Sequence, residues 1–351
     1  MSARHGPGVV AVAACVAITA GACAPGPDVS PTQTAAPTTT IEAPRPRPTV
    51  PSQTTADPTT LPPVPPAPAP TPAPTAAPPA TAQVASVTPG RYPLVTDTLP
   101  LVDVSRPTIS NGQTVSTTRA LTTLVWRPAV PGRWPLIVFA HGFQVGPTPY
   151  TALLEAWASA GYVVAAPEFP LTDSAVAGAN TDENDIQNQP ADVRFVLDAL
   201  VAPSTPLSAD IDPTRVVWAG HSDGAETALA ASLAPAPAGE PEPRAVLAMS
   251  VSPLEGVTAT ANPPLMVTQG DADTINPAAL GQKTYDEAAG PKFYMDLLGG
   301  GHLPPVEAGS QWLPSIEAAT LTFFHLYLYG GSPADVLAAG TRPGLSTMRE
   351  D

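Results

Sequence analysis

One pentapeptide, Gly220-His221-Ser222-Asp223-Gly224, constrains the fold of this chain more than any other segment. It follows an apolar run, Arg215–Ala219, that is typical of a buried strand, and it precedes a run, Ala225–Leu233, that is typical of a helix. A G-x-S-x-G sequence in this context forms a sharp, strained turn that presents the serine hydroxyl at its tip. Glycine is needed on both sides because only glycine adopts such tight backbone geometry at low cost. We therefore predict that Ser222 is a nucleophile.

Two later loops carry side chains that could assist this serine. In chains with such a turn, an acid and then a histidine follow the serine in sequence order. A strand-like run, Pro264–Thr268, leads into a loop that contains both Asp271 and Asp273, and position alone leaves either as the orienting acid. A further apolar run, Lys292–Leu298, leads through three glycines to His302. The order of a serine triad is therefore present.

The segment that follows an earlier strand-like run supplies the remaining part of such a site. Pro135–Phe139 ends in Ala140-His141-Gly142-Phe143. We expect the backbone N–H groups of Phe143 and Asp223 to form an oxyanion hole. In that arrangement His302 takes the proton of Ser222 while the acid orients the imidazole.

These motifs resemble those of a known superfamily. The segments AHGF, GHSDG, QGDADTINP and GGGH together resemble the α/β-hydrolases, and within them the cutinase-like polyester hydrolases, the platelet-activating-factor-acetylhydrolase-like lipases and the dienelactone-hydrolase-like esterases. The resemblance covers about residues 91–330. The cutinase-like pattern over Gly270–Pro277 assigns the catalytic acid to Asp273 rather than Asp271. It implies a serine carboxylester hydrolase that uses Ser222, Asp273 and His302, with no cofactor and no metal.

Two features depart from the cutinase-like pattern. Asp223 stands where those enzymes usually have Met, which leaves the substrate open because this position lies beside the acyl site. The predicted catalytic domain also has no cysteine, whereas many cutinase-like enzymes carry a disulfide.

The alternation of strand and helix patterns predicts an α/β fold with a mostly parallel, doubly wound sheet. Val95–Arg106 and Thr117–Arg127 are expected to form an antiparallel N-terminal pair around a turn at Ser110-Asn111-Gly112. Few residues separate Ser250 from Leu265, so we expect no cap domain there. A site without a cap is open to large or polymeric esters.

Four other side chains near the motifs invite a role. Tyr150 follows the oxyanion loop and Trp312 follows the His302 loop, and both are candidates for the substrate pocket. His141 and His221 could be bases or metal ligands, but no acid or cysteine recurs around them at metal-ligand spacing. We interpret both histidines as scaffold residues.

A long acidic loop, Glu168–Gln189, lies between two predicted elements. Its carboxylates are those of Asp173, Asp182, Glu183 and Asp185. Carboxylate oxygens are the ligands that calcium prefers. Two interpretations stay open, a calcium site or a solvated acidic loop at the mouth of the active site, and the second is favoured.

The first 90 residues differ from the rest in composition. Residues 1–23 resemble a lipoprotein-type signal peptide, in which Arg4 precedes an apolar core and small residues precede Cys23. We expect Cys23 to be lipidated, with an ordinary signal peptide as the alternative. Residues 24–90 contain 20 prolines and predict a disordered linker. Residues 91–342 are then the catalytic domain and 343–351 a flexible tail.

Charge and the remaining motifs narrow the classes of partner. Residues 91–342 carry 25 acidic and 11 basic residues, a net charge of −14, which disfavours nucleic acid. We expect a monomer that is exported to the cell envelope and meets the membrane only through a lipid on Cys23. Its partner is a small-molecule or polymeric ester. The alternatives are a cell-envelope acyltransferase with the same triad and a non-catalytic surface protein on this fold.

Overall fold

A nine-stranded mixed sheet carries helices on both of its faces in a computed structural model of the chain. The structure describes residues 83–351, except residues 235, 237, 238, 240 and 255–262. The predicted signal peptide, Cys23 and residues 24–82 of the predicted linker lie outside the described residues. Within the part that is described, no helix combines the length and apolar character needed to cross a bilayer.

The strands follow the apolar runs of the sequence. They are β1 (Leu94–Asp103), β2 (Thr108–Ser110), β3 (Gln113–Ser116), β4 (Arg119–Pro128), β5 (Trp134–Ala140), β6 (Val163–Pro167), β7 (Ile211–His221), β8 (Pro243–Met249), β9 (Leu265–Gly270), β10 (Lys292–Leu297) and β11 (Ser346–Glu350). The helices are α1 (Thr151–Gly161), α2 (Ser174–Ala177), α3 (Gln189–Val201), α4 (Asp223–Leu233), α5 (Ala278–Glu287), α6 (Leu313–Tyr329) and α7 (Pro333–Gly340).

The sheet has the order β1-β4-β6-β5-β7-β8-β9-β10-β11. The six strands from β6 to β10 in this order pair in parallel. The predicted N-terminal pair, β1 with β4, is antiparallel, and so are the pairs β4–β6 and β10–β11. This is the mostly parallel α/β arrangement that the sequence predicted, with the small hairpin β2–β3 inserted between β1 and β4 at the Asn111-Gly112 turn.

The two faces of the sheet bury separate apolar clusters. On β5, Ile137 and Phe139 join the cluster that contains residues of α1, α6 and α7, whereas Leu136 and Val138 join the cluster that contains residues of α3, α4 and α5. Successive side chains of a strand point to opposite faces, so a strand covered by helices on both sides is apolar throughout. The continuous apolar run of β5 therefore indicates helices on both faces of the sheet, as in a doubly wound fold.

Both ends of the described chain differ from the sequence-based boundaries. Residues 83–90, assigned above to the linker, lie on the domain: the Gln83 N–H donates to the Arg133 carbonyl at 3.0 Å and the Ser86 N–H to the Ala160 carbonyl at 2.7 Å. Residues 346–350, assigned to a flexible tail, form β11 on the edge of β10. The prediction of a flexible tail is wrong for these residues, because their backbone forms hydrogen bonds with the otherwise unpaired edge of β10.

The connection between β8 and β9 spans residues 250–264, of which 255–262 are not described. Among the described residues, no separate cap domain is present over the sheet. The loops that follow β5, β6, β7, β9 and β10 lie at the edge where parallel strands end. We call this edge the catalytic edge, because each predicted triad residue follows a strand that ends there.

Candidate active site

Ser222 lies at the tip of the turn between β7 and α4, as the sequence predicted. Its backbone has φ 56° and ψ −127°. Residues other than glycine rarely adopt a positive φ of this kind. The Ser222 N–H donates to the Met249 carbonyl at the end of β8, at 2.9 Å. Such a conformation costs about 1–3 kcal/mol and persists only where the surrounding structure enforces it.

The two glycines of the motif are enforced by close backbone contacts. A Cβ on Gly220 would lie within 3.0 Å of the Gly224 carbonyl, and a Cβ on Gly224 would lie within 3.0 Å of the Ala140 carbonyl. Real Cβ atoms do not approach backbone this closely. The missing side chain of Gly220 therefore lets the turn close on Gly224, and that of Gly224 lets the start of α4 lie against the end of β5.

His302 and Asp273 are brought together by the loops after β10 and β9. The His302 Nδ1 lies 2.8 Å from the Asp273 Oδ2. The Asp273 side chain is fully buried, and its Oδ1 accepts the backbone N–H groups of Ile275 and Asn276, each at 2.9 Å. Because a carboxylate only accepts here, the His302 Nδ1 carries the proton. Nε2 is then the ring nitrogen that can act as the proton acceptor.

Asp271 has a different environment from Asp273. Its side chain is exposed, and its Oδ1 accepts the Gly299 N–H at 2.6 Å. Asp271 thus stabilises the turn before His302, and among the described residues it makes no hydrogen bond to the imidazole. Of the two acids that the sequence left open by position, the structure brings Asp273 to the histidine.

The backbone of the His302 loop is tied down at several points. Gly299 has φ 70°, which favours glycine, and the Ala272 N–H donates to the Gly300 carbonyl at 3.0 Å. The Trp312 indole N–H donates to the Leu298 carbonyl at 3.1 Å. Trp312, predicted as a possible pocket residue, is half-buried in this position and helps to hold the loop.

The predicted oxyanion loop lies directly beside Ser222. A Cβ on Gly142 would lie 3.2 Å from the Ser222 Cβ. Gln144 has φ 62° and donates its N–H to the Thr172 carbonyl at 2.7 Å, which turns the chain away after Phe143. Among the described residues, none accepts the Phe143 N–H. The Asp223 N–H is at the start of α4, where helical N–H groups have no intrahelical partner, and it donates to the carboxylate of its own residue. The Phe143 N–H is therefore available to a ligand, whereas the Asp223 N–H becomes available only when its own carboxylate turns away.

The sequence model of the chlorophyllase family matches residues 99–277, from β1 to the start of α5. This chain belongs to the chlorophyllase family. That family is part of the α/β-hydrolase superfamily of esterases, so the superfamily and fold expected from the motifs are confirmed. The match includes Ser222 and Asp273 but ends before His302. A search of curated proteins gave no match.

In this chlorophyllase-family chain, Tyr150 does not line the substrate pocket that the sequence predicted for it. Its side chain is fully buried and offers no surface to a substrate. The Tyr150 hydroxyl lies 2.9 Å from the His221 Nδ1 and accepts the Gly142 N–H at 3.3 Å. Sequence position put Tyr150 near the site, but the start of α1 directs its ring beneath the oxyanion loop.

His141 and His221 are held by backbone groups, in keeping with their interpretation as scaffold. The His141 Nδ1 lies 2.9 Å from the Gly142 carbonyl, and its Nε2 accepts the Phe169 N–H at 3.1 Å. The His221 Nε2 lies 3.0 Å from the His302 carbonyl. Burial lowers the pKa of each histidine to about 4, so both rings are neutral at pH 7.

The acidic loop after β6 is largely buried, and it is held by an ion pair of Asp185 and by hydrogen bonds of Asp173 and Asp182. Asp173, Asp182 and Asp185 are all buried, and among the four carboxylates only that of Glu183 belongs to an exposed residue. The Arg119 guanidinium donates to both oxygens of Asp185, at 3.0 and 2.8 Å. It also donates to both oxygens of Asp192 in α3, at 2.9 and 2.6 Å. The interpretation as a solvated loop is therefore wrong for three of the four acids.

The partners of these carboxylates also bear on the calcium hypothesis. Asp173 and Asp182 accept the backbone N–H groups of Ala175 and Asn184 as helix caps. Although burial disfavours the charge of Arg119, its two carboxylate partners raise the pKa of the guanidinium above the ordinary value. Over the described residues, no group of three or more His, Cys, Asp or Glu side chains is arranged to hold a metal ion. The hydrogen bonds of Asp173, Asp182 and Asp185 fix the loop.

Asp223 introduces a titratable group that the sequence analysis did not foresee as perturbed. It is the first residue of α4, where the helix dipole favours a negative charge. Its Oδ2 is nevertheless buried without a hydrogen-bond partner among the described residues. Burial, with a smaller contribution from Glu183, raises the pKa of Asp223 to about 6. A carboxyl that titrates near neutral pH therefore lies next to the predicted nucleophile.

Proposed function

We propose that this chain is a serine carboxylester hydrolase that acts through an acyl-enzyme, with Ser222 as nucleophile, His302 as base and Asp273 as orienting acid. The observation that carries this proposal is the 2.8 Å contact between the His302 Nδ1 and the Asp273 Oδ2, at the same sheet edge as the strained Ser222. Membership of a family of esterases supports the same reaction class.

In the proposed mechanism, the Nε2 of His302 accepts the Ser222 proton as the serine oxygen attacks the ester carbonyl. Asp273 stabilises the imidazolium that forms and keeps the ring in the required orientation. His302 then gives the proton to the leaving alcohol, and a water activated by the same ring releases the acid from Ser222.

The Phe143 and Asp223 N–H groups are proposed to bind the oxyanion. One such donor contributes roughly 3 kcal/mol to transition-state stabilisation. Since the backbone supplies both donors, the chemistry depends on loop position rather than on the Phe143 and Asp223 side chains. The absence of a cap over the described residues favours large or polymeric esters, and the name of the family makes chlorophyll the first natural ester to test.

The test is hydrolysis of p-nitrophenyl esters from acetate to palmitate by the chain and three variants. We expect Ser222→Ala to abolish activity and Asp273→Asn to lower kcat by about 10⁴-fold, since the wrong histidine tautomer is then favoured. Asp271→Asn is the matched control, because it changes an exposed aspartate two positions away, and it should retain most activity. A wild-type chain that cleaves no ester and fails to react with a fluorophosphonate probe would refute the proposal.

We also propose export and lipid attachment at Cys23, on the sequence pattern alone. Mass spectrometry of the protein from membranes of a bacterial host should detect a diacylglycerol-modified Cys23, and Cys23→Ala should release the protein into the soluble fraction. Detection of an unmodified Cys23, or of a chain cleaved beyond it, would contradict this proposal.

A further inference from the structure

We infer that Tyr150 and His221 are positioning residues that hold the oxyanion loop and the His302 loop in register on either side of Ser222. This inference rests on the proposed function. The observations are three consecutive hydrogen bonds, from the Gly142 N–H to the Tyr150 hydroxyl at 3.3 Å, between that hydroxyl and the His221 Nδ1 at 2.9 Å, and from the His221 Nε2 to the His302 carbonyl at 3.0 Å.

The direction of every proton in this chain of hydrogen bonds is determined. A backbone carbonyl can only accept, so the His221 Nε2 carries a hydrogen and donates to His302. Burial and the neighbouring His302 keep the His221 ring neutral, so its Nδ1 accepts. The Tyr150 O–H must therefore donate to the His221 Nδ1, and the Tyr150 oxygen is left to accept the Gly142 N–H. The opposite arrangement would place two donors or two acceptors against each other.

The series of hydrogen bonds has its two ends at Gly142 and at His302, and each end lies at a reacting part of the proposed site. Gly142 lies beside Ser222, since a Cβ at position 142 would be 3.2 Å from the Ser222 Cβ. It immediately precedes Phe143, whose N–H is a proposed oxyanion donor. His302 is the proposed base, and the Ser250 hydroxyl, at 3.3 Å, also donates to its carbonyl. His221 precedes the nucleophile itself. Tyr150 and His221 thus connect three segments that come from the ends of β5, β7 and β10.

The burial of the two side chains strengthens this connection. Tyr150 is 0% exposed and His221 is 2% exposed. Hydrogen bonds are electrostatically stronger in such a low-dielectric interior, and successive bonds polarise one another. The Tyr150 ring also packs against Phe139, with ring centroids 4.8 Å apart, so the ring has its own anchor in the core. Removing only the hydroxyl therefore breaks the connection and keeps the packing.

A second buried tyrosine of the protein offers a matched control for the removal of the Tyr150 hydroxyl. Tyr162 is also fully buried and packs against Phe324, but its hydroxyl has no hydrogen-bond partner among the described residues. Tyr162→Phe removes a buried hydroxyl from the same core cluster without touching the site. A loss seen in Tyr150→Phe and not in Tyr162→Phe is due to the hydrogen bonds.

The experiment measures kcat and KM on a p-nitrophenyl ester for wild type, Tyr150→Phe, His221→Gln, the double variant and Tyr162→Phe. Rates are expressed per serine titrated to completion with a fluorophosphonate, so that misfolded protein is not counted. We expect Tyr150→Phe to lower kcat by between about 10-fold and 100-fold with little change in KM, because small displacements of reacting groups have effects of this size. Tyr162→Phe should keep the wild-type kcat.

The double variant tests whether the two residues act as one unit. If they do, its kcat falls no further than that of the more damaged single variant. A kcat for Tyr150→Phe equal to that of wild type, a loss confined to KM, or single effects that multiply in the double variant would each overturn the inference. Inactivity of the wild-type chain would instead refute the proposed function, so the two failures are distinguishable.

Discussion

Gly270 faces the backbone carbonyl of Gly300 so closely that a Cβ on Gly270 would lie within 3.0 Å of that oxygen. Gly270 ends β9 and begins the loop that carries Asp273, whereas Gly300 belongs to the loop that carries His302. The Ala272 N–H donates to the same Gly300 carbonyl. Direct backbone contact between the two loops therefore aligns the acid with the histidine, in addition to the hydrogen bond between their side chains.

A methyl group at position 270 should separate these two loops. We expect Gly270→Ala to lower the free energy of unfolding by about 1–3 kcal/mol, the usual cost of overpacking, and to reduce esterase kcat at the same time. Gly301→Ala is the steric control, because a Cβ there would meet only the Pro304 Cδ, at 3.9 Å. Urea unfolding of both variants measures the difference, and equal losses of stability would contradict the role of the Gly270–Gly300 contact.

The buried ion pairs of Arg119 give a second prediction. Arg119→Met leaves the carboxylates of Asp185 and Asp192 buried without their principal partner. Breaking a buried ion pair in this way costs about 3–5 kcal/mol. Arg127→Met is the control, since Arg127 pairs with the half-exposed Asp97 and Asp210 and should lose less than about 1 kcal/mol. The two free energies of unfolding are compared in urea at pH 7, and similar values would show that the Arg119 network contributes little.

The carboxyl of Asp223 should make stability depend on pH. Its pKa rises from 3.8 to about 6 on folding, so the folded state binds more protons than the unfolded state between these values. Stability is therefore lost as pH rises through this window, and the loss is complete above the folded-state pKa. Because the group is partly screened by solvent, we expect Asp223→Asn to gain only about 1 kcal/mol relative to wild type at pH 7.5.

Thermal melts at pH 4 and pH 7.5 test this expectation, and the difference between variant and wild type should be smaller at pH 4. Asp335→Asn provides the control, as it removes an exposed carboxylate from the first turn of α7. It reports the loss of a favourable charge at a helix start alone. A gain for Asp223→Asn that is the same at both pH values would show that ionisation is not the cause.

Deletion of residues 345–351 should expose the edge of β10. The deletion removes the backbone pairing of β11 and the packing of Met348 against Gly340. An exposed sheet edge is a template for pairing with another chain, so we expect aggregation as well as lower stability. Light scattering during thermal unfolding measures both. A truncated chain that stays monodisperse and melts at the wild-type temperature would restore the original interpretation of this segment as a tail.

The fold was predictable where the local sequence pattern favours the same structure that the packing of the neighbouring elements requires. The parallel strands are continuous apolar runs, and the turn at Ser222 has a specific sequence, so both could be inferred from the sequence. β11 has no such pattern, because the polar segment Ser346–Glu350 becomes a strand only by pairing with β10. α7 did leave a signal, since Ser332 caps it and Pro333 begins it.

Within the site, long-range partners limited the prediction. Arg119 meets Asp192 across 73 positions, and Tyr150 meets His221 across 71, so neither pair can be found from local spacing. Asp273 was separated from Asp271 by a family resemblance, whereas the geometry separates them by burial and hydrogen bonding. Backbone contacts of glycines such as Gly224 could be anticipated, because no other residue fits a turn of this kind.

Both ends of the described chain lie on the side of the sheet away from the catalytic edge. Gln83 bonds to Arg133 just before β5, and Asp351 bonds to Lys292 at the start of β10. A bead, a carrier protein or a solid film attached at Gln83 or Asp351 would therefore leave Ser222 facing outward. If the proposed function is correct, a protein immobilised through residue 83 or residue 351 should meet its ester substrate with Ser222 foremost.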